Sequence, residues 1–173
     1  MNLTKLLTKQ AESTYRATEG LLTLVDDEHL TWKPSSGANW LTVGQLLDHI
    51  ATACGATCKG FATGDWGIPP EAFQDMEPGD MLPPAEKFPS VASVQQAKDA
   101  LTADKRVTFE TIASVGEEAL ANRRVTAPWD PRERILAEGL LESIEHLASH
   151  KAQLYYYLKL QGVNVNTGHL WGM

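Results

Sequence analysis

The chain has 173 residues, of which 43% are apolar and 21% are charged, and it carries a formal net charge of -7 at pH 7. This length suits one domain, residues 1–173, that buries about two thirds of its surface, and the composition excludes general disorder. The excess of negative charge argues against nucleic-acid partners, because Lys and Arg side chains at phosphates supply most of that affinity.

The first predicted element is an amphipathic helix over residues 3–25, in which apolar side chains recur every three or four positions. Polar residues interrupt the continuous apolar stretch that a signal peptide or a membrane span needs. The sequence therefore predicts a cytoplasmic protein without a membrane partner.

The second predicted helix begins at Thr42 and extends to about Lys59. Its opening TVGQ is a capping box, in which the Thr42 hydroxyl accepts a backbone N–H bond and Gln45 reaches back. Cys54 and Cys58 lie one turn apart in this helix, a placement typical of small buried side chains in an intracellular protein. Free thiols are therefore expected rather than a disulfide.

Residues 60–90 hold six of the nine prolines, so no long element is expected there. A connection of this length either crosses over the fold or covers a site, and Trp66 and Phe73 offer aromatic side chains for covering an apolar pocket. Both alternatives stay open.

Two further helices are predicted after this connection. The third begins near Ser93, where SVQQ is a second capping box, and ends near Val115. The fourth is predicted to begin with Asp130 as its N-cap and Pro131 at its first position, and to end at Gly162. Four long helices without an alternating strand pattern predict an all-α protein, a four-helix bundle with a long crossover loop between helices two and three.

His146 and His150 lie one turn apart at the edge of the apolar stripe of the fourth helix, while Arg134 and Glu138 are expected on the opposite face. Side chains at this spacing stand one above the other, so their ring nitrogens can converge on one point. His49 lies on the inward side of the second helix, and packed helices are close enough for facing imidazoles to share an ion.

The spacing alone leaves alternatives open, since two histidines at i,i+4 are also compatible with hydrogen-bonded core side chains or a half-exposed pair. His29 and His169 are isolated in the sequence and are expected at the surface, although a C-terminal segment that folds back would bring His169 to the site. Cys54 and Cys58 point away from the side of the helix that carries His49, so they are not expected to join it.

The segments that hold these residues resemble the DinB/YfiT-like proteins. The likeness rests on LTVGQLLDHI around His49, on TAPW before the last long helix and on HLASHKAQLYYYLKLQG from His146, and it extends to LTWKPSSGANW and to TGHLWG near the end. Two positions depart from the usual pattern, since Lys151 stands where arginine is usual and Asp130 stands where glycine is common.

The resemblance implies a helical bundle, often a homodimer, in which His49, His146 and His150 bind a divalent metal ion. Members with assigned activities include transferases and isomerases that use low-molecular-weight thiols, and others are described only as metal-dependent hydrolases. Zinc is the simplest choice for three imidazoles, while nickel, iron or manganese also accept nitrogen and oxygen ligands.

Three protein ligands leave a coordination position for water or a thiol, which the ion turns into a nucleophile near neutral pH. Glu142 precedes His146 by one turn and is the candidate general base, although a carboxylate paired with Lys or Arg at the surface is an equal alternative. Lys151, Arg123 and Arg124 are the cations expected near the site for an acidic thiol. Gln153 and Tyr157 either orient a ligand or pack.

Three functional hypotheses follow. The first is a metal-dependent enzyme that acts on a small-molecule substrate with water or a thiol as the nucleophile. The second is a non-catalytic bundle that binds a metal ion or a small molecule, which a fourth ligand such as Glu142 or His169 would favour. The third is a helical interaction domain in which the histidines are incidental.

Overall fold

The computed structural model describes residues 2–67 and 84–173 and is mostly helical. Two single-turn 3₁₀ helices, Asp27–His29 and Ala85–Lys87, lie in connections between the longer elements. Phe73 and most of the predicted proline-rich connection lie outside the described residues. The regular elements are α1 (Leu3–Leu22), α2 (Val43–Thr63), α3 (Val94–Ser114), α4 (Glu117–Asn122), β1 (Arg124–Ala127), β2 (Asp130–Ile135), α5 (Leu136–Leu160) and α6 (Thr167–Trp171).

The starts of α2 and α3 follow from their capping residues. In α2 the predicted capping box is present, with Gln45 N donating to Thr42 Oγ1 at 3.2 Å and Thr42 N donating to Gln45 Oε1 at 2.8 Å. In α3 the backbone N of Gln96 donates to Ser93 Oγ at 3.1 Å, but the Gln96 side chain accepts from Ala92 N instead of completing a box. Both helices begin where the sequence predicts.

One apolar core lies between the four long helices α1, α2, α3 and α5, and each of them contacts two of the others. Each helix contributes fully buried leucines to this core, among them Leu21, Leu46, Leu101 and Leu140. Burial of each such side chain contributes about 1.5–3 kcal/mol relative to exposure, so this packing fixes how α2 and α5 face one another. None of the helices in the described part of the chain combines the length and apolar character that a membrane span requires.

A small antiparallel hairpin precedes α5, an addition to the mostly helical fold that the sequence did not predict. β1 pairs with β2 so that Arg124 lies opposite Ile135 and Ala127 lies opposite Asp130, with an irregularity in β1 between these pairs. The prediction that the last long helix begins at Asp130 is wrong, because this residue opens β2 and the helix begins at Leu136.

The reason lies in what the Asp130 side chain binds. Its carboxylate accepts hydrogen bonds from the side chains of Arg132 and Arg134 and from the backbone N of Arg132, rather than capping a helix. Pro131 lacks an N–H donor but is tolerated because each strand of a two-stranded sheet is an edge strand. At the start of α5, Oε2 of Glu138 instead accepts from Ile135 N at 3.0 Å.

A buried polar cluster joins α1, α2 and α3. Tyr15 Oη donates to Asp104 Oδ2 at 2.6 Å and lies 2.7 Å from Thr108 Oγ1. Gly55 N donates to Asp104 Oδ1 at 2.8 Å, which the lack of a side chain at this glycine permits. Burial raises the pKa of the Asp104 carboxyl to about 6, although hydrogen bonds from Tyr15 and from backbone N–H groups oppose the rise.

Replacing Asp104 by asparagine is expected to remove a pH dependence of stability. Between the ordinary carboxyl pKa near 4 and about 6, the folded protein holds a proton on Asp104 that the unfolded chain has released, so the contribution of Asp104 to stability falls as pH rises across this window. The loss is on the order of 2 kcal/mol. Burial lowers the pKa values of His49 and His146, which changes stability in the opposite direction across this window, so the test compares variants. The free energy of unfolding in urea of the wild type minus that of Asp104→Asn should fall by this amount between pH 4 and pH 7, whereas the difference from Asp99→Asn, an exposed control on the same helix, should stay constant.

Candidate metal centre

The structure brings together the three imidazole rings of His49, His146 and His150. Ring centroids lie 5.0 Å apart for His49 and His146, 4.5 Å for His49 and His150, and 4.6 Å for His146 and His150. One nitrogen from each ring lies within 4.8 Å of the nitrogens of the other two. Three rings from two helices therefore converge on one point, as the sequence predicts for His49, His146 and His150.

Local structure explains this convergence. His146 and His150 are one helical turn apart on α5, and His49 projects from α2, which packs against α5. The ring of Phe88 meets the His49 ring edge-on at 5.5 Å and restricts its rotation. Nε2 of His49 and Nε2 of His146 lie 2.9 Å apart. Two nitrogens bound to one tetrahedral zinc ion would be about 3.3 Å apart, given Zn–N distances of about 2.0–2.1 Å.

The electrostatics of the site favour neutral imidazoles. Burial lowers the pKa of His49 to about 4, with contributions from His150 and His146, and burial together with His150 lowers the pKa of His146 to about 4. The pKa of His150 is also lowered by burial, although its hydrogen bond to Gln153 opposes the shift. Neutral imidazole is the form that binds a metal ion, so the three rings suit a divalent cation.

The His150 ring is oriented by a chain of hydrogen bonds behind it. Nδ1 of His150 lies 3.0 Å from Oε1 of Gln153, so Nδ1 is the donor and Nε2 keeps its lone pair for an ion. Nε2 of Gln153 donates to the Tyr157 hydroxyl at 3.2 Å, and this hydroxyl donates to the backbone oxygen of Leu41 at 3.0 Å. The orienting role considered for Gln153 and Tyr157 matches these contacts.

A pocket of about 140 Å³ opens beside His146. It brings the imidazole next to two aromatic side chains, two hydroxyls and the candidate general base. The lining residues are Thr57, Phe61, Trp129, Glu142, Ser143 and His146. An ion held by the three histidines would therefore border a space that admits a small molecule.

A comparison with protein families identifies the family of this chain. A family model of the DinB superfamily matches residues 10–154, which contain all three converging histidines. The chain belongs to the DinB superfamily. No curated protein matches it, and no solved structure does.

In this member of the DinB superfamily, Glu142 lies at the pocket and is paired with Arg134, which the sequence predicted to lie away from the site. Arg134 is buried, and its Nη1 donates to Oε2 of Glu142 while its Nη2 donates to Oδ2 of Asp130 at 2.7 Å. Its guanidinium also lies 5.7 Å from the centre of the Phe61 ring. Because the sequence assigned Arg134 to the outer face of a helix, the prediction of its position is wrong.

The cations expected near an acidic thiol are placed differently as well. Lys151 is buried, and its Nζ donates to the backbone oxygen of Leu170 at 2.8 Å and lies 5.5 Å from the centre of the Trp171 ring. Arg123 and Arg124 are exposed and line a separate groove near the end of α2. None of the three lines the pocket beside His146.

The remaining histidines are not part of the convergent set. His169 is partly buried and caps the start of α6, where its Nδ1 accepts from Asn166 N at 3.1 Å. His29 lies with Asp26 and Glu28 in a second group of potential ligands. Both of these acids are exposed, and exposed acids commonly cluster without binding an ion.

Proposed function

We propose that His49, His146 and His150 bind one divalent metal ion, with zinc as the first choice, and that the protein is a metal-dependent enzyme. The observation that carries the proposal is the convergence of three imidazoles beside a pocket. A divalent ion on three neutral imidazoles would lower the pKa of a bound water or low-molecular-weight thiol toward neutrality. Hydrolysis and thiol transfer are therefore the reaction classes that suit the site.

The residues around the pocket support separate roles in this reaction. Gln153 would hold the His150 ring with Nε2 toward the ion, since Nδ1 is its hydrogen-bonding atom. Glu142, with one carboxylate oxygen bound by Arg134 and its side chain 46% exposed, would accept a proton from a nucleophile in the pocket. Phe61 and Trp129 would exclude water from one side of the substrate.

A non-catalytic metal-binding bundle is the alternative, and metal analysis combined with turnover separates the two. The wild-type protein, purified without chelator, should contain or take up about one equivalent of zinc. A conjugation assay with a small thiol and an electrophile, together with ester and amide hydrolysis assays, should then show turnover that chelation removes. Metal uptake without turnover in any of these assays would favour the binding role.

The affinity for zinc is expected to change little between pH 7 and pH 6. With ordinary histidine pKa values near 6.5, protons would compete for all three rings below pH 6.5. Because the pKa values of His49 and His146 are lowered to about 4, their competition begins at more acidic pH. Competition with a chromophoric chelator should show a loss of less than about tenfold between pH 7 and pH 6. A loss of about thirtyfold over the same interval, which three ordinary pKa values near 6.5 would give, would contradict the lowered pKa values.

The finer architecture is proposed on the same basis. We infer that residues 1–173 form one four-helix bundle domain built on α1, α2, α3 and α5, which share a common core. The homodimer and the crossover between α2 and α3 remain predictions. Sedimentation equilibrium at micromolar concentration tests the dimer directly, because a mass near the chain's 19.0 kDa would contradict it.

A further inference from the structure

We propose that the pocket beside His146 binds a ring-sized apolar group that carries a neutral hydrogen-bond donor, and that it discriminates against anions. The inference rests on the proposed function only in that the pocket adjoins the proposed metal site. It is drawn from the size of the pocket, its aromatic walls and the direction of its hydrogen bonds.

The volume sets the size of the group. The pocket measures about 140 Å³. An apolar cavity of about 150 Å³ in another protein holds one benzene molecule, so a six-membered ring or a branched group of similar volume fits here. Larger molecules would have to extend from the pocket into solvent.

The walls favour a flat apolar group. Phe61 and Trp129 line the pocket, and Trp66 packs edge-on against both, with ring centroids 5.0 Å from Phe61 and 4.9 Å from Trp129. A Cβ atom at Gly139 would lie 2.9 Å from the Phe61 ring, so the glycine lets this ring sit directly against α5. Aromatic pairs of this geometry add about 0.5–1.5 kcal/mol beyond burial, which holds the walls in place.

The two hydroxyls of the lining present acceptors to the pocket. Thr57 Oγ1 donates to the backbone oxygen of Ala53 at 2.7 Å, and Ser143 Oγ donates to the backbone oxygen of Gly139 at 3.1 Å. A hydroxyl has one hydrogen and two lone pairs, so a ligand that meets either oxygen must supply the hydrogen.

Glu142 adds a third acceptor. Its Oε2 accepts from Arg134, whereas Oε1 accepts no hydrogen bond from the described residues. Among the described lining residues, the side chains that can donate are the rings of Trp129 and His146, and Nε2 of His146 already faces His49. Acceptors therefore predominate around the pocket.

This lining determines which charge a ligand can carry. A carboxylate would lie against the Glu142 carboxylate and against hydroxyls that have no free hydrogen, so it would be repelled and poorly hydrogen-bonded. A divalent ion at the three histidines would repel a cation but attract a carboxylate, so the discrimination against anions is expected of the metal-free protein, in which Glu142 is the carboxylate of the described lining. A neutral alcohol, thiol or amide N–H on an apolar ring meets neither penalty.

Three ligands with the same ring test the inference: toluene, benzyl alcohol and benzoate. Each is titrated into the full-length protein in its metal-free form, so that benzoate cannot bind a metal ion, and binding is followed by the NMR signal of the Trp129 indole N–H. Benzyl alcohol is expected to bind about tenfold more tightly than toluene or benzoate, the difference that a hydrogen bond to a charged acceptor supplies.

Glu142→Gln is the decisive variant, because an amide donates as well as accepts and can still bind Arg134. The preference for benzyl alcohol over benzoate should fall to less than about threefold. Tyr156→Leu removes an exposed aromatic side chain elsewhere on α5 and should leave the tenfold preference unchanged. Far-UV circular dichroism confirms that both variants are folded.

Equal binding of the three ligands, tightest binding of benzoate, or no binding of any of them would each overturn the inference. Failure of the metal proposal can be distinguished from failure of this inference. Loss of zinc binding with the ligand preference retained would remove only the metal centre, whereas one equivalent of zinc without ligand discrimination would remove only the assignment of the pocket.

Discussion

Replacing His146 by alanine is expected to lower zinc affinity by more than a hundredfold and to remove any metal-dependent turnover. Structural zinc sites with four ligands bind with about 10–16 kcal/mol, so one ligand accounts for about 3 kcal/mol, which is a factor of more than a hundred. His146 is chosen because its ring belongs to the convergent set and also lines the pocket. Isothermal titration with zinc measures the change.

His169→Ala is the matched control, since this histidine caps α6 and lies outside the convergent set. It should bind one equivalent of zinc with wild-type affinity. Unchanged affinity in His146→Ala would reject the proposed ligand set. A variant that loses zinc and turnover together would support an enzyme, and it would also link the thiol or hydrolytic activity to this centre.

The substitution Gly55→Ala is expected to destabilise the protein by about 3 kcal/mol, although alanine is the better helix former. A Cβ atom at this position would lie 2.6 Å from the backbone oxygen of Asp104 and 2.8 Å from its Oδ1. Separations below 3.0 Å force α2 and α3 apart, which costs about 1–3 kcal/mol. Weakening the hydrogen bond from Gly55 N to Asp104 adds a comparable loss.

Gly20→Ala provides the opposite case, because no atom lies within 4 Å of a Cβ at this exposed position of α1. It should stabilise the protein by about 0.5–1 kcal/mol through the reduced backbone entropy of the unfolded chain. Thermal unfolding should show Gly55→Ala lower by roughly 6–12 °C and Gly20→Ala higher by about 2 °C. Shifts of the unfolding temperature with the same sign in both variants would show that helix propensity, and not the contact with Asp104, determines the change in stability.

The elements that the sequence predicted well are those defined by short-range chemistry. Thr42 and Gln45 mark the start of α2 because a capping box needs only residues three apart. The one-turn spacing of His146 and His150 likewise fixes their common direction once α5 is a helix. His49 required a packing argument, which succeeded because its apolar neighbours indicated the inward side of α2.

The hairpin and Arg134 were missed because their structure depends on contacts between segments. Asp130 followed by Pro131 is an ordinary helix start, and only the pairing of β2 with β1 turns it into a strand. Arg134 was then assigned to a solvent-facing helix position, although in the hairpin it reaches both Asp130 and Glu142. Asp130, four positions before Arg134, was the available indication that this arginine is paired.

The hydrogen bonds that run from His150 through Gln153 and Tyr157 to Leu41 O end one residue before Thr42, the N-cap of the helix that carries His49. These hydrogen bonds link α5 to the start of α2, and these two helices supply the imidazoles. The spacing of the rings is thus largely set when the chain folds, so a metal ion would have little ordering left to impose and would meet a site of nearly fixed dimensions. Such a site would select metal ions by radius and preferred coordination geometry more strictly than a set of flexible side chains would.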